Sequence, residues 1–331
     1  RSSTLAVSTS PAAVSGLSSD GQTTGSIDLS WDVLVSSGGS ATTGYIVYRS
    51  EGAGGTDHPI VAYDGTGSTA TAATVSGLEG GRLYSFVVSG VSAAGTGAPS
   101  EAFNQSTSPG APSGLGSVAQ TTSSITLQWT APAELGGDTV SEYVLYMDDG
   151  GGESAAVSTV AYRGELSSSV LVEGLVGGRS YKFAVSAVSA SGEGDRSEVM
   201  AQSTAPAAPG AAPVSVSQTA SSIELSWTVP SVSTGLGATG YRVFDAVTSA
   251  VVYDGAGLLA TEAVVSGLES GRLYSYAVSA LSGSGEGDVS GTLEVSTAPG
   301  VVTGVSSTLQ TSSSITLQWE APVVSTGSAV S

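Results

Sequence analysis

The residues of this chain that could do chemistry are few, and their spacing argues against catalysis. His58, in the segment GTDHPI, is the only histidine among 331 residues, and there is no cysteine. A hydrolytic triad needs a base held beside a nucleophile, whereas Asp57 is adjacent to His58 in sequence, where two side chains rarely converge on one site. No nucleophile elbow, zinc-binding helix or phosphate-binding loop occurs. We therefore expect a non-catalytic chain without a cofactor, in which His58 lies in a surface loop.

Three acidic segments are candidates for calcium. They are MDDG (147–150) and two copies of SGEGD (191–195 and 284–288). Ca²⁺ takes six to eight oxygen ligands, usually from loops that converge, and none of these segments has the spacing of a recognised calcium loop. Two interpretations stay open: the segments are ordinary turns, or they contribute to calcium sites at domain junctions.

Two further features have both a structural and a functional interpretation. Arg82, Arg179 and Arg272 each stand two residues before a tyrosine. They could line a ligand-binding stripe, but a local ion pair with a carboxylate such as Glu79 or Glu269 is the simpler expectation. Asn104, the only asparagine, begins the sequon NQS and is a candidate N-glycosylation site if the chain is secreted.

The charge balance excludes two classes of partner. The chain has 28 acidic and 9 basic residues, for a formal net charge of −19. Nucleic acids and anionic membranes are bound through clustered Lys and Arg, so we expect neither as a partner. No run of about 18 apolar residues is present, so we expect no membrane insertion.

The elements that position these residues repeat along the chain. Trp31, Trp129, Trp227 and Trp319 recur about every hundred residues, each closing a run such as SIDLSW or SITLQW. In these runs apolar and polar residues alternate, which is typical of a half-buried strand. Prolines in STSP and STAP recur at a similar period, and proline suits a junction between strands because it cannot donate to a sheet.

A longer phrase also occurs three times. It begins GLEGGRLYSF at Gly77, GLVGGRSYKF at Gly174 and GLESGRLYSY at Gly267. Its apolar residues alternate with polar ones, no segment has a convincing helical period, and Gly, Ser and Thr fill the turns. The pattern predicts an all-β chain with about seven strands in each unit.

Each unit resembles a fibronectin type III domain. That family carries a tryptophan on its second strand and a leucine six residues before a tyrosine that begins the sixth. Leu78 with Tyr84, Leu175 with Tyr181 and Leu268 with Tyr274 match this spacing. The resemblance implies tandem seven-stranded immunoglobulin-like β-sandwiches in an elongated array, with the four tryptophans in the core and the tyrosines in tyrosine corners. Glycines stand in this turn where the family often has proline, so we expect a looser backbone there.

The repeat also sets the expected domain boundaries. Residues 11–108, 109–205 and 206–298 are predicted to form three complete domains. Residues 1–10 resemble the segment that closes the third domain and are predicted to be the last strand of a preceding domain. Residues 299–331 are predicted to supply only the first strands of a fourth. We therefore expect a segment of a longer array, joined by short linkers that limit the freedom of neighbouring domains.

Three functions are compatible with these features. The first is a structural spacer in an extracellular filament, appendage or surface coat, whose partners are copies of itself or other surface proteins. The second is an adhesive surface that binds glycans, which a row of exposed aromatic side chains would favour. The third is a set of spacer modules on a secreted enzyme whose catalytic domain lies elsewhere. All three place the chain outside the cell or on its surface.

Overall fold

The computed structural model describes residues 8–35, 39–52, 58–133, 135–151, 156–164, 166–231 and 235–322. Residues 1–7 of the predicted leading strand lie outside these ranges, as do Asp57 and the last nine residues of the predicted fourth domain. The described residues form strands and turns, and none of them forms a helix that could cross a membrane.

Three β-sandwiches follow one another, and the first is built from residues Ser18 to Ser106. Its strands are β1 (Ser18–Gln22), β2 (Ser26–Ser30), β3 (Thr42–Glu51), β4 (Ile60–Thr66), β5 (Ala72–Ser76), β6 (Leu83–Ser92), β7 (Gly95–Thr96) and β8 (Phe103–Ser106). One antiparallel sheet has the order β1-β2-β5, and the other has the order β4-β3-β6-β7 with β8 also paired to β6.

The second and third domains repeat this topology. The second contains β9 (Ser113–Gln120), β10 (Ser124–Thr130), β11 (Glu142–Met147), β12 (Thr159–Gly164), β13 (Ser169–Glu173), β14 (Ser180–Ser189), β15 (Gly192–Glu193) and β16 (Met200–Ser203). The third contains β17 (Val214–Gln218), β18 (Ser222–Ser226), β19 (Gly240–Asp245), β20 (Val251–Ala256), β21 (Glu262–Ser266), β22 (Leu273–Ser282), β23 (Gly285–Glu286) and β24 (Leu293–Ser296).

The last strand of each domain is interrupted, which reconciles eight elements with the predicted seven strands. In the first domain β7 and β8 pair with opposite ends of β6, and residues 97–102 bulge between them. Gly95, the first residue of β7, closes the hairpin turn with a φ of 111°, a backbone conformation that suits glycine. Gly192 and Gly285 stand at the equivalent turns of the next two domains, with φ values of 98° and 108°.

The alternating residues of both sheets meet in one core per domain. In the first domain Ile27 and Leu29 of β2 pack against Tyr45 of β3 and Phe86 of β6, and all four are buried. Trp31 packs against the ring of Tyr45, with centroids 5.6 Å apart. Trp31 and Trp129 are 5% exposed and Trp227 is 7% exposed, so these three tryptophans lie between the sheets.

Trp319 does not lie in a core, contrary to the expectation for the fourth tryptophan. Strands β25 (Thr303–Gln310) and β26 (Ile315–Glu320) form a two-stranded sheet, and no second sheet covers it within the described residues. Trp319 is therefore 59% exposed. The alternation of β26 predicted the face on which this tryptophan lies, but burial also needs a partner for that face.

Candidate functional site: the domain junctions

The tyrosine corners lie at the ends of the domains, next to the following domain. The hydroxyl of Tyr84 accepts a hydrogen bond from the backbone N–H of Glu79, five residues upstream, at 2.9 Å. Tyr181 and Tyr274 accept equivalent bonds from residues 176 and 269, also at 2.9 Å. Leu78 and Leu175 are buried beneath the first two corners. In the third domain Leu268 and Tyr274 are only partly buried and pack at the edge of the core.

A threonine of each linker pins the same turn from the other side. The Thr107 hydroxyl donates to the carbonyl of Glu79 at 2.7 Å, and it accepts from the N–H of Arg82 at 3.1 Å. Thr204 and Thr297 make the same two kinds of bond in the next domains. The glycine-containing turn is therefore held firmly, which corrects the expectation of a looser backbone. The threonines of STSP and STAP repeat with the prolines, but their hydrogen bonds were not predicted from the sequence.

The turn also bonds directly to the following domain. The N–H of Gly137 donates to the carbonyl of Gly81 at 3.0 Å, and the N–H of Gly235 donates to the carbonyl of Gly178 at 2.9 Å. A Cβ on Gly137 would lie 2.5 Å from the Gly81 oxygen, and one on Gly235 would collide with the Gly178 oxygen. Because no side chain fits, these two positions need glycine for a close approach of two backbones.

Further hydrogen bonds cross each junction. Gln22 of the first domain donates to the carbonyl of Ser191 in the second at 3.0 Å, and Gln120 of the second donates to Ser284 of the third at 3.1 Å. The Ser108 hydroxyl of the linker donates to Ser191 as well, at 2.8 Å. The β14–β15 and β22–β23 hairpins therefore fold back onto the preceding domain. Both glutamines begin a QTT segment, and this repeat was visible in the sequence although its contacts were not predicted from it.

The first junction encloses a small cavity of about 200 Å³. Glycine, proline and alanine residues dominate its lining, together with Thr139, Val140 and Asp138. The carboxylate of Asp138 accepts a hydrogen bond from the Ser191 hydroxyl. The cavity therefore offers one carboxylate, which already accepts a hydrogen bond from the protein.

The acidic candidates for calcium make hydrogen bonds to the protein itself. Asp148 is buried, and its Oδ1 accepts from the backbone N–H groups of Gly150 and Lys182 at 3.1 and 3.0 Å. Asp288 accepts from the Thr122 hydroxyl across the second junction at 2.6 Å. Within the described ranges, no group of three or more His, Asp or Glu side chains could hold a metal ion.

Glu193, in the first SGEGD segment, belongs to a network on the outer face of the second domain. Its Oε1 accepts from the hydroxyls of Ser186 at 2.5 Å and Tyr146 at 2.6 Å. Burial raises the pKa of Glu193, but these two hydrogen bonds and the charges of Arg163 and Arg196 outweigh it, so the pKa lies below its ordinary value. The carboxylate is therefore ionised and structural.

The repeated arginines bond locally in two domains of three. Arg82 pairs with Glu79 at 3.0 Å and also with Glu51, and Arg272 pairs with Glu269 at 2.9 Å. The expected local pair is thus confirmed for these two. In the second domain Val176 stands where the others have glutamate, and the Nε of Arg179 is buried with no hydrogen-bond partner among the described residues.

The remaining candidates lie apart from one another. His58 is half-buried, and its Nε2 lies 3.2 Å from the Ser85 hydroxyl. Asn104 is exposed on β8, whereas Ser106 of the same sequon is buried. Among the large apolar side chains exposed in the described ranges, Trp319 is the single aromatic one. The described surface therefore presents no row of exposed aromatic side chains.

Comparison with known proteins identifies the repeats. The sequence profile named "Fibronectin type III domain" matches residues 12–106, 110–203 and 207–296. Two solved structures with similar folds are the FN1–FN3 domains of chicken CNTN1 and a two-domain fibronectin type III segment of chicken tenascin. The first is 19% identical and has a TM-score of 0.32, covering 87% of this chain and 99% of that one. The second is 18% identical and has a TM-score of 0.31, covering 58% of this chain and 99% of that one.

Three relatives come from different kinds of protein. Chitinase A1 of Niallia circulans is 34% identical over 194 residues, which is 56% of this chain and 24% of the relative. Receptor-type tyrosine-protein phosphatase H of Homo sapiens is 32% identical over 327 residues, which is 96% of this chain and 27% of the relative. Myomesin-2 of Homo sapiens is 30% identical over 220 residues, which is 64% of this chain and 14% of the relative.

The chain thus spans about a quarter or less of the length of these relatives. What it shares with them is the repeated domain, whose three copies in this chain carry the same buried tryptophan and the same tyrosine corner. The chain belongs to the fibronectin type III family and contains three tandem domains of it.

Proposed function

We propose that this chain is a non-catalytic spacer in a long extracellular tandem-repeat protein, where it builds a filament, appendage or surface coat. In this role the domains must keep a nearly constant orientation to their neighbours. The observation that carries the proposal is the backbone hydrogen bond from Gly137 to Gly81, repeated at the next junction from Gly235 to Gly178.

The burial of the linkers supports the same role. Thr107 and Ser108 of the first linker, and Thr204 and Ala205 of the second, are each buried to the same degree as core residues. A flexible linker would leave these residues in water and let the domains tumble. Because each linker is instead bonded to the turn of its own domain and lies against the next, bending the array would break several hydrogen bonds at once.

Spin-label distance measurements test the constant orientation. The chain has no cysteine, so cysteines introduced for labelling at the exposed positions Thr159 and Glu262 would be the only ones. We expect a narrow distance distribution between the second and third domains. Gly235→Ala should shift or broaden it, because the backbones must separate by about 1 Å before the new Cβ reaches ordinary contact distance from the Gly178 oxygen.

Gly237 provides the matched control in the same loop. A Cβ at Gly237 meets nothing within 4 Å, so Gly237→Ala should leave the distribution unchanged. A broad distribution in the unaltered chain would contradict the spacer role, because freely tumbling domains cannot set a distance. Equal effects of the two substitutions would show that the close approach at Gly235 does not hold the domains.

A second candidate is a spacer within a secreted enzyme, favoured by the similarity to chitinase A1 over 194 residues. The two candidate functions can be distinguished by isolating the protein from its source with an antibody against these domains. Hydrolysis of chitin by that preparation would favour the enzyme-borne spacer, whereas ordered filaments or a surface lattice in electron micrographs would favour the structural array.

A further inference from the structure

The outer face of the larger sheet in the third domain carries a groove of about 290 Å³. Its floor is Ala277 of β22, which lies opposite Phe244 of β19 in the sheet. Val289 and Thr292 of the bulge between β23 and β24 line the groove, and Asp245 also contributes to its lining. The groove is therefore an aromatic and aliphatic slot.

The corresponding position of the second domain is occupied by a side chain of that domain. Tyr146 lies opposite Ala184 there, as Phe244 lies opposite Ala277. Arg196, in SGEGDRS, takes the place that Val289 has in SGEGDVS. Its guanidinium carbon lies 3.5 Å from the centroid of the Tyr146 ring, and its Nη1 donates to the carbonyl of Val157 at 2.8 Å. Tyr146 is consequently only 7% exposed.

The third domain has the same slot without the arginine. Val289 is too short to cover the ring of Phe244, which is partly exposed, and Val289 itself is 54% exposed. Within the described residues, the ring of Phe244 therefore lacks the cation that covers Tyr146 in the second domain.

We propose that this groove binds an arginine side chain presented by a partner polypeptide, in the manner in which Arg196 occupies the second domain. The planar guanidinium stacks on the ring of Phe244, as the guanidinium of Arg196 stacks on Tyr146 in the second domain. An arginine fits better than a lysine, because its flat, weakly hydrated head stacks on aromatic rings and donates in the same plane. The net charge of −19 steers cationic segments toward the chain.

NMR titration of the whole chain with N-acetyl-arginine methylamide tests the proposal. We expect shifts concentrated at the backbone amides of Phe244, Asp245, Ala277 and Val289. The matched norleucine probe, which keeps an unbranched aliphatic stem but has no charge, should bind more weakly. Phe244→Leu keeps apolar bulk but removes the ring, and the dissociation constant for the arginine probe should rise about two- to fivefold, as expected for an exposed cation–π contact.

Two reciprocal substitutions should cover the open groove of the third domain and open the covered slot of the second. Val289→Arg should fill the groove from within and abolish probe binding in the third domain. Arg196→Val should open the slot over Tyr146 and produce a second set of shifts, at Tyr146 and Ala184. Both changes are on the surface, and amide dispersion close to that of the unaltered chain shows that the variants are folded.

The outcomes are distinct. Equal binding of the norleucine probe would mean that an apolar group is the natural occupant and would overturn the proposal. Undiminished binding of the arginine probe to Val289→Arg, or shifts confined to other surfaces, would overturn it as well. Loss of binding in Val289→Arg together with a gained site in Arg196→Val would establish it.

Discussion

Replacing Tyr181 with phenylalanine removes one oxygen atom from a core that is otherwise unchanged. That oxygen accepts from the N–H of residue 176 at 2.9 Å, and Tyr181 is only 4% exposed. A typical hydrogen bond contributes about 0.5–1.5 kcal/mol net, and a buried donor left without a partner costs about 1–3 kcal/mol. Val176 is half-exposed, so water can partly replace the lost oxygen. We therefore expect the second domain to lose about 1–2 kcal/mol of stability.

Hydrogen exchange followed by mass spectrometry measures this loss where it occurs. A loss of this size raises the open population about 5- to 30-fold. Exchange of the most protected amides of β14 (Ser180–Ser189) should accelerate by that factor, while those of β6 and β22 serve as references within the same molecule. Tyr162→Phe is the matched control, because no hydrogen bond to the Tyr162 hydroxyl is found among the described residues. Unchanged protection of β14 in Tyr181→Phe, or an equal change in Tyr162→Phe, would refute the role assigned to the corner.

Three further substitutions test other parts of the structure. Trp129→Ala should cost about 3–5 kcal/mol, a large part of the ~5–15 kcal/mol that stabilises a domain, and near-normal melting of the second domain would contradict its burial. Because the pKa of Glu193 is depressed in the folded state, its contribution is present above the unfolded pKa and disappears as pH falls through the folded value. On acidification from about pH 6 to pH 3, the Glu193→Gln variant should therefore lose less stability than the unaltered chain. Thermal melts in which both proteins lose the same stability over this range would rule this out. Trp319→Phe should remove the fluorescence that acrylamide quenches most readily, and an unchanged quenching curve would mean that Trp319 is covered.

Much of the fold could be predicted because its signals are local. Alternation in SIDLSW assigns Ile27, Leu29 and Trp31 to one face of a strand, and any apolar face of this kind needs burial. The spacing of Leu78 and Tyr84 is equally local, since a tyrosine corner bonds to backbone five residues upstream. Three copies in register then made the domain architecture readable from the sequence.

The sequence alone determined a tandem array of fibronectin type III β-sandwiches. Only the tertiary structure decided which surfaces meet. Gln22 reaches Ser191 across 169 residues, and two glycine turns of neighbouring domains approach at backbone distance. The exposure of Trp319 and the stacking of Arg196 on Tyr146 were decided in the same way. The physical reason is that periodicity reports which face of a strand is apolar, whereas the group that covers that face is chosen by packing between segments far apart in the chain.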